Sequence, residues 1–428
     1  LHGVPIIQSP FHTTAQLCAT CHDTSNPVMT RQPDGTYLPN DAGVAHASQN
    51  KYDMFPLERT FSEWANSQYA SVGVQANGVF GGNHPTGVMH MCQDCHMPDV
   101  DTYACNFESA TYRRPDVPAH DFSGGNAWVQ DMIANLYSSF QVDPENLMAA
   151  KTRAVYMLQH AATLEVRRHC TVVAGNPPYC YQNSDCVGGG TCTVTDEDCD
   201  VNVRIVNETG HKLPTGYPEG RRMWISVEFR DESLNPVASR GYYHGPTADL
   251  TTSDTKVYEA VLGLDESMAA ASGVGEGPSF HFVLNNKIYK DNRIPPRGFS
   301  NTAFASVQTA PVAAVYEDGQ YWDDTQFRVP PGAVSATVSI YYQTSSKEYI
   351  EFLRDENITN GDGDLLHAQW LLTGMSPPVL MRQLVVQNLA PGLFADANCS
   401  GTVNLADTAQ LGECMSGPSD TLLLGCEV

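Results

Sequence analysis

The chain has 428 residues and a formal net charge of −24, with 34 Gly and 27 Pro but only 17% charged residues. This length can hold two to four domains, each with its own hydrophobic core. The acidity makes nucleic acid and anionic membranes poor partners, whereas a basic partner or bound divalent cations would suit it. No apolar run approaches the length of a bilayer span, so no transmembrane segment is predicted.

The N-terminal end is atypical of a primary translation product. The chain starts at Leu1 without a methionine, a basic region or an apolar signal core. We therefore expect a processed or truncated form, whose upstream sequence could carry further motifs of the kind described next.

Two copies of the pentapeptide Cys-x-x-Cys-His lie in the first hundred residues, at Cys18–His22 and Cys92–His96. This order is the signature of covalent c-type haem attachment. The thiols of Cys18 and Cys21, and those of Cys92 and Cys95, would bond to the two vinyl groups of a haem. His22 and His96 would then be the proximal iron ligands. A four-cysteine zinc site uses the same spacing but leaves both histidines unexplained, so two haems c are predicted.

The region from residue 1 to about 125 shows little periodic structure, as expected where haems form much of the core. A short amphipathic helix is indicated by Pro56–Ala65. From Asn126 to Cys170 the pattern predicts helices, with Ala162 and Val166 at the end of the second apolar stripe. Pro144 is expected in the first turn of that second helix.

Nine cysteines remain after the four in the motifs, a density that suits disulfides in an oxidising compartment. Because nine is odd, at least one is free or pairs with another chain. Cys180, Cys186, Cys192 and Cys199 lie in a stretch with almost no apolar residues. We expect a small disulfide-stapled insertion or linker over residues 170–200.

The pattern changes to a period of two from Val201 onward. Alternating stretches at 201–205, 224–229 and 334–342 predict strands separated by Gly, Pro and Asn clusters. Such spacing favours an antiparallel β-sandwich, and 347–354 is predicted as a helix.

A loop near the C-terminus has EF-hand-type calcium spacing, with Gly401 at its sixth position. The predicted calcium ligands are Asp396, Asn398, Ser400, Thr402, Asn404 and Asp407. Asp407 stands where an EF-hand has Glu, which resembles a dockerin module, although dockerin loops usually occur in pairs. A polar turn that caps a short helix is the alternative.

Longer stretches resemble a family of secreted bacterial multihaem c-type cytochromes with a C-terminal β-sandwich domain. The stretches that carry this resemblance are 9–12, 17–22, 57–64, 92–98, 113–116, 120–126, 207–218 and 291–299. Together they cover most of residues 9–380. The resemblance implies haem attachment outside the cytoplasmic membrane, in agreement with the cysteine usage.

A second strong axial ligand is needed for a low-spin electron-transfer haem. The resemblance places a distal ligand at His120, in the stretch His-x-Phe-x-Gly-Gly-Asn. His12 lies just upstream of the first motif, as ligating histidines do in such proteins. His211, in a Gly-His-Lys-Leu-Pro turn, could reach a haem from the sandwich or could simply bond to the backbone. Arg113 and Arg114 are candidates to pair with haem propionates, or to be a solvated surface pair.

These observations predict an α+β multidomain chain. Its expected parts are a dihaem cytochrome domain at 1–169, the stapled insertion at 170–200, the sandwich at 201–390 and a calcium-loop tail at 391–428. The predicted function is electron transfer outside the cytoplasm, in the periplasm, at the cell surface or in the extracellular space. Redox proteins or extracellular electron acceptors would be its partners. Two alternatives stay open: an enzyme whose open haem reduces a small nitrogen oxide, oxyanion or peroxide, and a homo-oligomer or filament of an extracellular cytochrome assembly.

Overall fold

A computed structural model describes residues 9–41, 43–48, 50–103, 113–167, 169–170, 192–193, 200–387 and 389. The described part combines helices with antiparallel sheets, so the general α+β class is confirmed. The proposed division into domains stays a prediction. The calcium loop at 396–407 and most of the cysteine-rich segment lie outside the described residues.

The helices are α1 Gln16–Ala19, α2 Thr60–Ala65, α3 Gln68–Ser71, α4 Cys92–His96, α5 Val129–Leu136, α6 Pro144–His160, α7 Glu266–Ser272, α8 Asn301–Ser306, α9 Lys347–Glu356 and α10 Asp362–Leu372, with 3-10 helices at Pro10–Thr13 and Lys51–Asp53. The strands are β1 Ser25–Asn26, β2 Met29–Arg31, β3 Tyr37–Pro39, β4 Phe55–Pro56, β5 Val74–Gln75, β6 Val88–Met89, β7 Asp99–Tyr103, β8 Arg113–Pro118, β9 Ala162–Arg167, β10 His169–Cys170, β11 Cys192–Thr193, β12 Asp200–Asn207, β13 Arg222–Arg230, β14 Pro236–Arg240, β15 Tyr243–His244, β16 Asp249–Leu250, β17 Val257–Tyr258, β18 Ala260–Leu264, β19 Gly277–Pro278, β20 Lys287–Asp291, β21 Trp322–Arg328, β22 Ser335–Gln343 and β23 Val379–Gln387.

Two antiparallel sheets form the scaffold of the second half of the chain. One has the order β21-β12-β9, and the other has the order β14-β13-β22-β23 with β17 also paired to β13. Their inward side chains, including Ile205 of β12, Ile225 of β13 and Ile340 of β22, belong to one buried apolar cluster. The alternation predicted for these strands therefore buries one shared core, because successive side chains of a strand point to opposite faces.

The prediction that the second helix continues to Cys170 is wrong beyond His160, where α6 ends. Residues 162–167 instead form β9, whose Leu164 pairs with Ile205 of β12. Ala162 and Val166 are four residues apart, and this even spacing places them on one face of a strand as well as of a helix. Pairing with β12 makes this stretch a strand rather than a helix. The partner of Leu164 in β12 lies 41 residues further along the chain.

Helix α6 begins as expected at Pro144, after Asp143, whose side chain accepts hydrogen bonds from two backbone N–H groups of the first turn. Its Ala154 and Leu158 are buried in the core shared with the two sheets. The helices α2 and α9 also lie where the sequence predicts them. Helix α6 thus joins the region of the two motifs to the sheets.

The described residues between 9 and 126 form short elements, and buried polar contacts hold them to the rest of the protein. Arg59, at the start of α2, donates to the main-chain oxygen of Thr24 and to the side chain of Gln308. Its pKa is lowered by burial, against the attraction of Asp23. Among the described residues, no helix is both long and apolar enough to cross a bilayer.

Candidate functional site

The two Cys-x-x-Cys-His motifs lie next to each other. The first begins in α1 and the second forms α4. The side chain of Gln93 in α4 donates to the main-chain oxygen of Thr14, just before α1, at 2.8 Å. The thiols of Cys18 and Cys92 influence each other, and their interaction lowers the pKa of Cys18 to about 6 and raises that of Cys92. Two motifs separated by more than 70 positions in sequence are therefore neighbours in the fold.

A cavity of about 290 Å³ opens beside the motifs. Its wall includes Cys18 and His22 from the first motif, Cys92, Cys95 and His96 from the second, and the turn that carries His211. Apolar side chains such as Phe61, Trp64, Phe80 and Leu158 complete much of the remaining wall. A mostly apolar cavity with a few convergent polar groups is the usual form of a cofactor site.

The rings of His96 and His211 face this cavity as a pair. Their centroids are 6.4 Å apart and their planes differ by 22°. The Nδ1 of His96 is 2.6 Å from the main-chain oxygen of Ser123, and the Nδ1 of His211 is 3.0 Å from that of Lys212. Since both Nδ1 atoms are engaged by carbonyl oxygens and so carry the proton, Nε2 is the nitrogen that each ring has free for a metal.

Both rings are favoured in their neutral form. Burial lowers the pKa of His211 to about 4, and burial also lowers the pKa of His96. A metal ligand must be the neutral imidazole, because a protonated nitrogen has no lone pair to offer. At neutral pH the pair is therefore ready to bind a metal.

The turn at His211 is held by a buried acidic side chain from α2. Glu63 accepts a hydrogen bond from the main-chain N–H of Lys212 at 3.1 Å and from the hydroxyl of Thr215 at 2.8 Å. Its other oxygen accepts from Thr309 at 3.1 Å and lies 3.2 Å from Arg293. A carboxylate with no exposure to solvent thus fixes the backbone next to His211.

Two further charges complete this buried cluster. Lys212 Nζ donates to Asp291 at 2.7 Å, and Arg293 donates to both oxygens of the same carboxylate. Burial opposes ionisation of Asp291, but Arg293 and Lys212 hold its pKa at about 2. Two cations and two anions therefore balance one another, which a buried cluster of charges requires.

Asn207 closes the same turn from the end of β12. Its amide nitrogen donates to the main-chain oxygens of His211, Ile294 and Pro295, and its Oδ1 accepts from the N–H of Thr209. The stretches 57–64, 207–218 and 291–299, which are far apart in sequence, thus meet around one histidine.

His22 has different surroundings. Its side chain is 61% exposed, and its Nδ1 lies 2.9 Å from Oε1 of Glu58, which is only 14% exposed. The hydrogen bond to Glu58 raises the pKa of His22. Within the described ranges, no other aromatic ring is in contact with that of His22. The two motif histidines therefore have an anionic and a neutral partner, respectively.

The other predicted distal ligands are not among the residues that line this cavity. His120 is exposed two residues after the end of β8, and its ring neighbour at 6.0 Å is Phe122, which does line the cavity. His12 is exposed in the first 3-10 helix. The stretch 120–126 contributes to the site through the carbonyl of Ser123 and through Gly124 and Gly125, which line the cavity.

The predicted propionate partners also lie elsewhere. Arg113 bonds to Asp101 at 2.8 Å and Arg114 lies 3.3 Å from Asp116, and both side chains are more than half exposed. Arg221, which sequence analysis missed, lines the cavity and donates to the main-chain oxygen of Thr215 at 2.6 Å. Its Nε is buried without a hydrogen-bond partner. Only the fold brings it to the cavity, so no signal near the motifs could have identified it.

These residues fit a haem c. The motif thiols would supply the attachment points, and the neutral pair His96 and His211 would supply nitrogen ligands. The unpartnered Nε of Arg221 offers a donor to a carboxylate. Within the described part of the chain, no group of three or more His, Cys, Asp or Glu side chains could hold a bare metal ion.

No protein-family model matches the chain, and no curated protein matches it. Among solved structures, the chain is similar to a penta-heme cytochrome c552 from Thermochromatium tepidum, with 13% sequence identity and a TM-score of 0.37. The alignment covers 90% of this chain and 62% of the cytochrome chain. The chain thus spans less than two thirds of the length of that cytochrome.

Proposed function

We propose that this chain is a c-type cytochrome that carries two covalent haems and transfers electrons outside the cytoplasm. The observation that carries the proposal is the pair of neutral imidazoles, His96 and His211, whose ring centroids are 6.4 Å apart and which both line the cavity beside the second motif. Two imidazoles on one iron place their centroids about 6 Å apart, since each iron–nitrogen distance is about 2 Å and each centroid lies about 1 Å behind its nitrogen.

The second site would therefore be six-coordinate, with His96 proximal and His211 distal. A six-coordinate iron has no open position for substrate, which favours electron transfer over catalysis at this site. The residues of the chain orient both rings through their Nδ1 hydrogen bonds and exclude water with the apolar wall.

The hydrogen bond from Gln93 to Thr14 and the cavity that both motifs line support two sites that lie side by side. Haems attached at neighbouring cysteines would be close enough to exchange electrons directly. Arg221 would pair with a propionate, because a guanidinium suits a carboxylate in geometry and in charge. The net charge of −24 favours a basic redox protein as partner.

Haem stoichiometry tests this proposal. The holoprotein, made in cells that attach haem c, should carry two haems by mass spectrometry and by haem staining of a denaturing gel. Cys18→Ala with Cys21→Ala should remove one haem, and Cys92→Ala with Cys95→Ala should remove the other. A wild-type protein that contains zinc and no haem would refute the proposal.

A further inference from the structure

We propose that Glu58 makes the two haem sites unequal, holding the reduction potential of the first-motif haem below that of the second-motif haem. This inference rests on the proposed function. It goes beyond the proposed function because it assigns the order of the two reduction potentials to one carboxylate, that of Glu58.

The geometry fixes Glu58 against His22. Its Oε1 lies 2.9 Å from Nδ1 of His22 and 3.1 Å from the hydroxyl of Thr60, which in turn hydrogen-bonds to Thr215 at 2.9 Å. The main-chain oxygen of Glu58 accepts from the N–H of Thr24, two residues after His22, at 2.9 Å. Both partners are therefore held by main-chain as well as side-chain contacts.

The partners of the second site are neutral. The Nδ1 of His96 meets the carbonyl of Ser123, and that of His211 meets the carbonyl of Lys212 and the hydroxyl of Thr209 at 3.2 Å. The charged groups nearest this turn, Glu63, Lys212, Asp291 and Arg293, are bonded to one another rather than to either ring.

A carboxylate and a carbonyl act differently on a ligating imidazole. A carboxylate draws the Nδ1 proton more strongly, so the ring becomes a better donor to iron, which favours the ferric over the ferrous state. Its charge also stabilises the additional positive charge of ferric iron. Both effects lower the reduction potential at the first site.

A positive charge near His22 acts in the opposite direction. Arg221 opposes protonation of His22, but its guanidinium donates to the main-chain oxygen of Thr215, and no ion pair joins it to Glu58 in the described structure. Glu58 therefore keeps its charge available to His22.

Potentiometry on the full holoprotein tests the inference. The wild type should show two one-electron waves. Glu58→Gln keeps an acceptor of the same shape but removes the charge. It should raise the lower of the two reduction potentials by about 59 mV, which is a tenfold change in a one-electron equilibrium. The other wave should not move.

Two further variants show which haem the Glu58→Gln change affects and whether the effect is specific to Glu58. His211→Ala should shift the wave that Glu58→Gln leaves in place, because it alters the second site. Glu208→Gln is the matched control: Glu208 also lines the cavity, but its carboxylate pairs with Arg297 at 2.6 Å, so its removal should shift either wave less than Glu58→Gln does.

The inference is overturned if Glu58→Gln leaves both potentials unchanged or raises the higher one. It is also overturned if Glu208→Gln shifts a potential equally, or if Glu58→Gln and His211→Ala shift the same potential. Should Glu58→Gln lose a haem, Glu58→Asp serves instead. This variant keeps the charge but moves the carboxylate away from Nδ1 of His22, so it should raise the same reduction potential. An unchanged potential overturns the inference. A wild type without haem would instead refute the proposed function.

Discussion

The same pentapeptide occurs twice in this chain and is placed in two different environments. His22 is largely exposed and bonds to a carboxylate, whereas His96 is partly buried, bonds to a carbonyl and faces a second imidazole. Under the proposed function, the motif would set where a haem is attached, while distant parts of the chain would set what surrounds its iron. The predictions below test this contrast, from the largest expected effect to the smallest.

Glu63 should matter most to stability, because it joins the second site to α2 through four buried contacts. Glu63→Gln would leave Lys212, Arg293 and Asp291 with unbalanced charge, and breaking a buried ionic cluster costs about 3–5 kcal/mol. Chemical unfolding measures the loss. Glu228→Gln, which removes a surface partner of Arg230, should cost about 0–1 kcal/mol. Equal losses in the two variants would contradict the role of the buried cluster.

The pH dependence should have opposite signs at the two sites in the haem-free chain. The pKa of His211 is about 4 in the folded state against about 6.5 unfolded, so the unfolded state binds more protons between these values. The free energy of unfolding should therefore fall by at most about 3 kcal/mol as the pH decreases from about 6.5 to about 4. His96, whose pKa is also lowered, adds to the same slope.

The pKa of His22 is raised, so its effect on the free energy of unfolding changes with pH in the direction opposite to that of His211. The contribution of His22 to the free energy of unfolding is fully present below the pKa that His22 has in the unfolded state. It is lost as the pH rises through the pKa that His22 has in the folded state. Chemical unfolding at a series of pH values measures both slopes. His211→Asn should weaken only the acid slope, and Glu58→Gln only the other. A variant that changes both slopes equally would count against separate sites.

The arginines give the smallest effect on stability. Arg113→Ala removes an exposed pair with Asp101, worth about 0–1 kcal/mol, and should leave the haem spectrum unchanged. Arg221→Gln should shift the haem absorption or potential, because it removes the donor proposed for a propionate. Thermal unfolding and spectra of the two holoprotein variants measure this. A spectrum altered by Arg113→Ala but not by Arg221→Gln would favour the sequence-based assignment.

Sequence patterns could predict the elements that depend on local periodicity. The strands β13 and β22, the helix α9 and the start of α6 at Pro144 lie where expected. The end of α6 was mispredicted because a spacing of four residues suits a strand as well as a helix.

The surroundings of the motifs were harder to predict from sequence. The contact of Glu63 with Lys212 joins residues 149 positions apart, and His96 is 115 positions from His211. No local pattern reports such distances, so His211 could be proposed only as one of three candidates. Arg221 carries no motif and could not be proposed at all.

The central claim is that His211 is the distal partner of His96, and ligand binding to the reduced holoprotein tests it most directly. His211→Ala opens one axial position, so it should gain a high-spin band and bind one more equivalent of carbon monoxide than the wild type, with both haems retained. His120→Ala, which changes an exposed ring outside the cavity, is the matched control and should bind the same amount as the wild type. If His120→Ala binds the additional equivalent of carbon monoxide and His211→Ala does not, the account of the second haem is contradicted.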